Sequence, residues 1–342
     1  MLGDSKKISV SANAGRFLAS DLLRPPSIVT YDLQGDPERT MEIVSGAVIP
    51  GINDIASDTD NDWQDGAAGD AHIYSGWTYD YFFKRFGRRG LDNDDLPIRS
   101  IVHPVRRENI DDSLDAFPLF FVNAVYYGEG LMVYGVGLPP DRTSGGRSAD
   151  FFSGALDVVA HELTHGVIEY SSNLIYQNES GALDEAFADI MGTSVERFFQ
   201  EPGPGLMQAD YLIGEDVLRP GGFRSLANPG ALGNPDHYSG LFRGQQDNGG
   251  VHINSGIAGH AFYLAVEGGT NRTSGLSVEG VGHANREQIE QVFYRAFTQM
   301  LSSSATFSLA RAATIQAARD LHGVNSPSER VVTQAWTAVG VH

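Results

Sequence analysis

The apolar run from Leu156 to Ser171 constrains this chain more than any other stretch. Its apolar residues recur at helical spacing, which predicts a helix with a buried face. Set into it is Val159-Ala160-His161-Glu162-Leu163-Thr164-His165. Two histidines four residues apart lie on one side of a helix. Two imidazoles so placed can bind one Zn²⁺, and Glu162 beside them can activate a water at the metal. A chain of this length matches H-E-x-x-H by chance with odds of roughly a few percent. The sequence around the motif therefore decides its meaning.

The chain has 342 residues, enough for two cores, and a hydrophobic share of 41% to fill them. Asp and Glu total 43 against 24 Lys and Arg, a net charge of -19. That balance argues against nucleic acid and against anionic membranes as partners. Most of these carboxylates are expected only to solvate the surface, while a cluster of them suits Ca²⁺. Cysteine is absent, so disulfides and thiolate metal sites are excluded and any zinc must sit on His and carboxylate. Secretion stays open, because a domain of this size needs no disulfide staples. No stretch approaches the length of a bilayer span. Met1–Lys7 lacks an apolar signal region. The chain is expected either to stay in the cell or to start after a removed targeting segment.

The pattern predicts an α+β protein with a β-rich N-terminal domain over 1–153 and a mainly helical domain over 154–342. The motif helix, 156–171, stands between them. Strand composition marks Ile28–Leu33, Met41–Val44 and Leu131–Gly137. One helix is expected over 70–86, and 87–118, charged and broken by Pro and Gly, reads as a surface excursion. Further helices are expected over 182–199, 254–266, 284–301, 307–321 and 329–339. The Gly- and Pro-rich stretch 202–250 reads as long, structured loops.

A zinc held by two histidines and a water lacks one protein ligand. Glu185 is the candidate, on the mostly apolar run Ala182-Leu183-Asp184-Glu185-Ala186-Phe187-Ala188-Asp189. Acids embedded in an apolar helix need a partner, and a metal supplies one. Asp189, four residues on, and Asp184 can each fix a ligand histidine through its second nitrogen.

These residues resemble the thermolysin family of zinc metalloendopeptidases. The resemblance rests on His161–His165 followed by Asn178-Glu179-Ser180-Gly181-Ala182-Leu183-Asp184-Glu185-Ala186. Asn123-Ala124-Val125-Tyr126, Ile213-Gly214-Glu215-Asp216-Val217 and Asp236-His237-Tyr238 extend it. So do Asp247-Asn248-Gly249-Gly250-Val251-His252-Ile253-Asn254-Ser255-Gly256 and, at the start, Leu2-Gly3-Asp4. Rival zinc peptidases fit less well. A third histidine two turns past the motif would fall at Ser171, and the G-x-M-E-N element of the related aminopeptidases is missing.

The resemblance implies a two-domain thermolysin-like fold and a neutral endopeptidase that cleaves before bulky apolar residues. It implies one catalytic Zn²⁺ on His161, His165 and Glu185, with Glu162 as general base. His252 and Tyr176 would stabilise the oxyanion, and Asp247 would orient His252. Asn123 and the Ala124 backbone would hold the peptide in extended form, and Arg224 would grip its carbonyl. Val158, Ile213, Val217 and Phe223 would line the pocket after the scissile bond. Asp157, Glu196, Asp210 and Glu215 match calcium ligands, joined by the backbone carbonyl of Leu212. Where two-calcium members carry an acid this chain has Leu212, so one ion is expected. Asp58, Asp60 and Asp62 resemble a second calcium site, and a solvated acidic loop is an equal reading there. The resemblance further implies protein and peptide substrates, a secreted monomer, and a pro-segment, which this sequence does not contain. Two other readings stand beside it, an inactive member serving as a binding domain and a metallo-aminopeptidase.

Overall fold

A computed structural model describes residues 6–113 and 117–342. The Leu2-Gly3-Asp4 match lies outside the described residues. The chain forms two compact units. One comprises the residues up to Gly166 with Val195–Asp210 and Gly214–Gly222, and the other comprises Val167–Ser194, Tyr211–Ile213 and Phe223–His342. The compact units exchange short segments along the chain and divide two helices between them.

In the first unit, β1 (Ser11–Asn13), β2 (Arg16–Leu18), β3 (Ser20–Asp21), β4 (Ile28–Asp32), β5 (Ser57–Asp58), β6 (Ile98–Val102), β7 (Ala124–Tyr126) and β8 (Leu131–Tyr134) form two sheets. One has the order β1-β2-β5 and the other β3-β4-β6-β8-β7. In the larger sheet β4, β6 and β8 are parallel, and β3 and β7 pair antiparallel at its edges. The sheet's central strand, β6, falls inside 87–118 and corrects the reading of that stretch as a surface excursion. Ile98, Ser100, Ile101 and Val102 are buried. A parallel strand covered on both faces reads as a short apolar run without alternation. Here charged residues on either side hide that run.

A second correction concerns Met41–Val44, which ends a helix, α1 (Pro37–Val44), and not a strand. Asp36 caps it, accepting from the Arg39 N–H at 2.9 Å, and Pro37 starts it. These start signals outweigh the β-type composition of a short segment. The long helix α2 (Gly66–Phe86), capped by Asp65, crosses from β4 to β6. After the short α3 (Ile110–Ser113), α4 (Leu156–Glu169) carries the histidine motif.

The second unit is helical. It holds most of α5 (Asn178–Phe199), followed by α6 (Gln246–Glu267), α7 (Arg286–Gln299), α8 (Phe307–His322) and α9 (Pro327–Ala338). Its core is aromatic. Phe187 stacks on Phe297 at 4.9 Å, Phe262 meets Phe293 edge-on at 5.3 Å, and buried Trp336 donates to Thr314 Oγ1 at 2.8 Å. Leu212–Ile213 pairs with Arg224–Ser225 as a two-stranded ribbon.

Candidate active site

On α4, the one-turn spacing of His161 and His165 brings their Nε2 atoms to 3.0 Å, with the rings edge to face. Two ligands of a tetrahedral zinc at about 2.0–2.1 Å stand about 3.3–3.4 Å apart, so the imidazoles already have the bite of a chelate. Glu162 lies between them in sequence and is buried. In the same unit β7 is an edge strand, which leaves one side of its backbone open to a further strand. Ala124 begins that strand, and the Asn123 carbonyl accepts from the Gly135 N–H at 2.8 Å.

The second unit brings six of the expected residues into one network. Glu185 and Asp189 project from α5 toward Arg224. Arg224 donates through Nε and Nη2 to the two Asp189 oxygens, both at 2.7 Å, and Nη2 lies 3.4 Å from Glu185 Oε2. Its Nη1 makes no hydrogen bond among the described residues. Burial alone would lower the guanidinium pKa, but the two carboxylates outweigh it and hold the charge firmly. Tyr176 donates to Glu185 Oε1 and stands 3.2 Å from His252 Nε2. Burial and the adjacent Glu185 push the phenol pKa up, so Tyr176 stays a donor. On the other side of the ring, His252 Nδ1 donates to Asp247 Oδ1 at 2.6 Å.

The start of α6 explains why His252 can be held there. Residues 247–250 all have left-handed φ, so the regular helix begins only at Val251. Asp247 then caps it, accepting from the His252 and Ile253 N–H groups at 2.9 and 3.3 Å. Gly249 and Gly250 are required by space as well as by φ. A Cβ at Gly249 would lie 2.2 Å from Asn178 Oδ1, and one at Gly250 2.6 Å from Phe242.

Three of the four pocket candidates are buried, Val158 and Val217 in the first unit and Ile213 in the second. Phe223, half-buried in the second unit, donates its N–H to the Ile213 carbonyl at 2.7 Å. Asp184 is buried on α5.

The first unit also gathers carboxylates. Ligand oxygens of Glu196, Glu215 and Asp216 lie within 4.8 Å of one another. Asp157 is fully buried and accepts from the Gly214 and Val158 N–H groups at 2.5 and 2.8 Å. Asp210 reaches Glu196 through its N–H at 3.4 Å. Burial, reinforced by the neighbouring acids, pushes the carboxyl pKa up to about 7 for Asp157 and about 10 for Glu215, and raises Glu196 and Asp216. Both Glu215 oxygens and Asp216 Oδ2 are buried without a hydrogen bond. Buried, unpaired and mutually repelling oxygens fit a hard divalent cation. Asp216 is the member that sequence reading missed; its signal was the Glu215-Asp216 doublet. Leu212 stands in the other unit.

By contrast, Asp58 and Asp60 spend oxygens on N–H groups of their own turn. They join no three-ligand group among the described residues. A third group, Asp32, Asp65 and His103, has an ion pair at its centre, with His103 Nδ1 2.9 Å from Asp32 Oδ1. Burial opposes the imidazolium, but the two carboxylates outweigh it and raise its pKa.

Known proteins resemble this chain along its whole length. Residues 1–169 match the family described as thermolysin metallopeptidase, catalytic domain, and 172–341 match thermolysin metallopeptidase, alpha-helical domain. Bacillolysin of Bacillus cereus is 40% identical over 349 residues, and a thermolysin of Bacillus sp. (strain EA1) is 41% identical over 351. Each alignment covers all of this chain, which spans only 54% and 56% of those relatives' lengths. The solved precursor of protealysin, a metalloproteinase from Serratia proteamaculans, superposes with a TM-score of 0.68 at 29% identity. That match covers 98% of this chain and 91% of the other. The α+β architecture, the zinc-type motif helix and two family matches that together span nearly the whole sequence lead to one conclusion: the chain belongs to the thermolysin metallopeptidase family.

Proposed function

We propose that the chain is a zinc-dependent neutral endopeptidase that cleaves peptide bonds on the N-terminal side of bulky hydrophobic residues. The observation that carries the reading is the 3.0 Å convergence of His161 and His165 Nε2 with Glu162 buried beside them. His161, His165 and Glu185 are the zinc ligands, a donor set of two imidazoles and one carboxylate that suits Zn²⁺. Bound there, zinc supplies a Lewis acid that polarises the scissile carbonyl and lowers the pKa of water.

The remaining chemistry falls to side chains. Glu162 takes a proton from the attacking water and passes it to the leaving amine. Tyr176 and His252 donate to the developing oxyanion. Asp247, bonded to Nδ1, keeps the imidazole oriented with its Nε2 forward. Asp189 and Asp184 steady the ligand histidines. Arg224 has Nη1 available for a substrate carbonyl, while Asn123 and Ala124 on the sheet edge bind the peptide as an added strand. Val158, Ile213, Val217 and Phe223 receive the side chain that follows the scissile bond. One Ca²⁺ is held by Asp157, Glu196, Asp210, Glu215 and Asp216, with the backbone carbonyl of Leu212. No helix among the described residues is long and apolar enough to cross a membrane. Dependence on calcium suits action outside the cell as a monomer on protein and peptide substrates.

Glu162→Ala tests the mechanism. Zinc content is expected to stay at one per chain while hydrolysis of an N-blocked peptide falls about 10³-fold or more. Wild-type rates in this variant would remove Glu162 as the base. Cleavage confined to peptides with a free N-terminus would favour an aminopeptidase.

A further inference from the structure

His260 sits on α6, two turns beyond His252, and is 4% exposed. Its Nδ1 lies 2.8 Å from the carbonyl of Leu226. A carbonyl only accepts, so Nδ1 carries the proton. Burial lowers the pKa of the ring and keeps it neutral. Nε2 is buried and meets no hydrogen-bond partner. The whole polar function of this imidazole is therefore one bond to one backbone carbonyl.

Leu226 follows Arg224 and Ser225, the strand paired with Leu212–Ile213. The Leu226 N–H donates to the Tyr211 carbonyl at 2.8 Å. Tyr211 packs edge-on against Tyr263 at 4.8 Å, and Tyr263 stacks on His260 at 5.8 Å. At Gly259 an added Cβ would lie 3.2 Å from Leu226 Cγ, so α6 packs closely against the Leu226 side chain. Asp189 fixes Arg224 at its guanidinium, and His260 fixes the chain two residues downstream. A guanidinium aimed at a substrate needs both ends held.

We propose that His260 is a positioning residue for substrate capture, holding the Arg224–Ser225 strand through the carbonyl of Leu226 that follows it, so that Arg224 Nη1 points at the substrate carbonyl after the scissile bond. The inference rests on the reading of Arg224 given above. It ties the helix that carries the oxyanion donor to the strand that grips the peptide, within one compact unit.

The test compares two N-blocked peptides, one intact and one in which the first carbonyl after the scissile bond is reduced to CH₂. For the intact peptide, His260→Leu is expected to lower kcat/KM about tenfold, mainly through KM, as one hydrogen bond of about 1.4 kcal/mol is lost. For the reduced peptide, which has no carbonyl for Arg224 to hold, the same variant is expected to leave kcat/KM unchanged. His260→Asn, which keeps a donor near Nδ1, should restore most of the loss and stands as the folded comparison if the leucine variant is unstable. Equal losses on both peptides, no loss on either, or an asparagine variant as poor as the leucine one would overturn the proposal. If the wild-type protein itself hydrolysed both peptides equally well, the Arg224 assignment would fail, and this inference with it.

Discussion

The two buried acidic regions differ in what balances their charge. In the second unit Glu185 and Asp189 face Arg224, whose guanidinium is bonded to Asp189 twice at 2.7 Å. In the first unit Asp157, Glu196, Glu215 and Asp216 face one another, and their pKa values rise. The chain supplies a cation to one region, and in the proposed function the other takes an ion from solution. On the proposed reading the Arg224 region is preorganised whatever the calcium level, while the carboxylate cluster couples folding to calcium. A site proposed to aim a guanidinium and a phenol at a substrate gains from fixed charge. Carboxylates brought together from two helices and a loop gain from a bound ion that unfolded chains cannot hold.

The largest effect should come from breaking the self-contained region. Arg224→Ala leaves Asp189 and Glu185 buried without their guanidinium and is expected to cost about 3–5 kcal/mol of stability, read by denaturant unfolding with calcium present. Removing calcium should cost about 3–4 kcal/mol when the ion is otherwise present at several hundred times its Kd. A wild-type unfolding curve unmoved by chelation would end the contrast.

A smaller effect lies in pH. Without calcium, the raised folded-state pKa values mean that the native state keeps protons that the unfolded chain has released. The stability this contributes is fully present below about pH 4, where unfolded carboxyls titrate. It is lost as pH rises through about 7 for Asp157 and about 10 for Glu215. The Tm of the calcium-free protein is therefore expected to fall between pH 5 and pH 9, and the calcium-loaded protein should lack that slope. A calcium-free Tm that climbed over this range would contradict the cluster. Smallest is Asp216→Asn, which can keep the bond from the Met207 N–H at 2.7 Å while removing one charge. It should stabilise the calcium-free protein by about 1 kcal/mol and weaken the calcium-loaded one. The same sign in both states would show that Asp216 is not part of the ion site.

Much of this was legible in the sequence where a residue's chemistry sits at fixed spacing on one element. His161 and His165 are one helical turn apart, so their convergence follows from the period alone. The helices α5 to α9 were readable from apolar spacing and long length. Short elements were not. β6 is five residues between charged flanks, and α1 is eight residues whose apolar end resembles a strand. Asp216 and His260 escaped for a different reason: partners of each are brought in by elements distant in sequence, and only the Glu215-Asp216 doublet hints at Asp216 locally. The capping role of Asp247 depends on four consecutive left-handed residues, of which only the Gly249-Gly250 pair is signalled by composition.

The most direct measurement is peptide hydrolysis by chain reconstituted with one zinc, using peptides blocked at both ends and identifying each cut bond by mass spectrometry. The account predicts internal cleavage before bulky apolar residues, loss of activity on chelation, and recovery on adding back zinc in the presence of calcium. Protein that is folded, calcium-loaded and carries one zinc, yet cuts no internal bond, would contradict it.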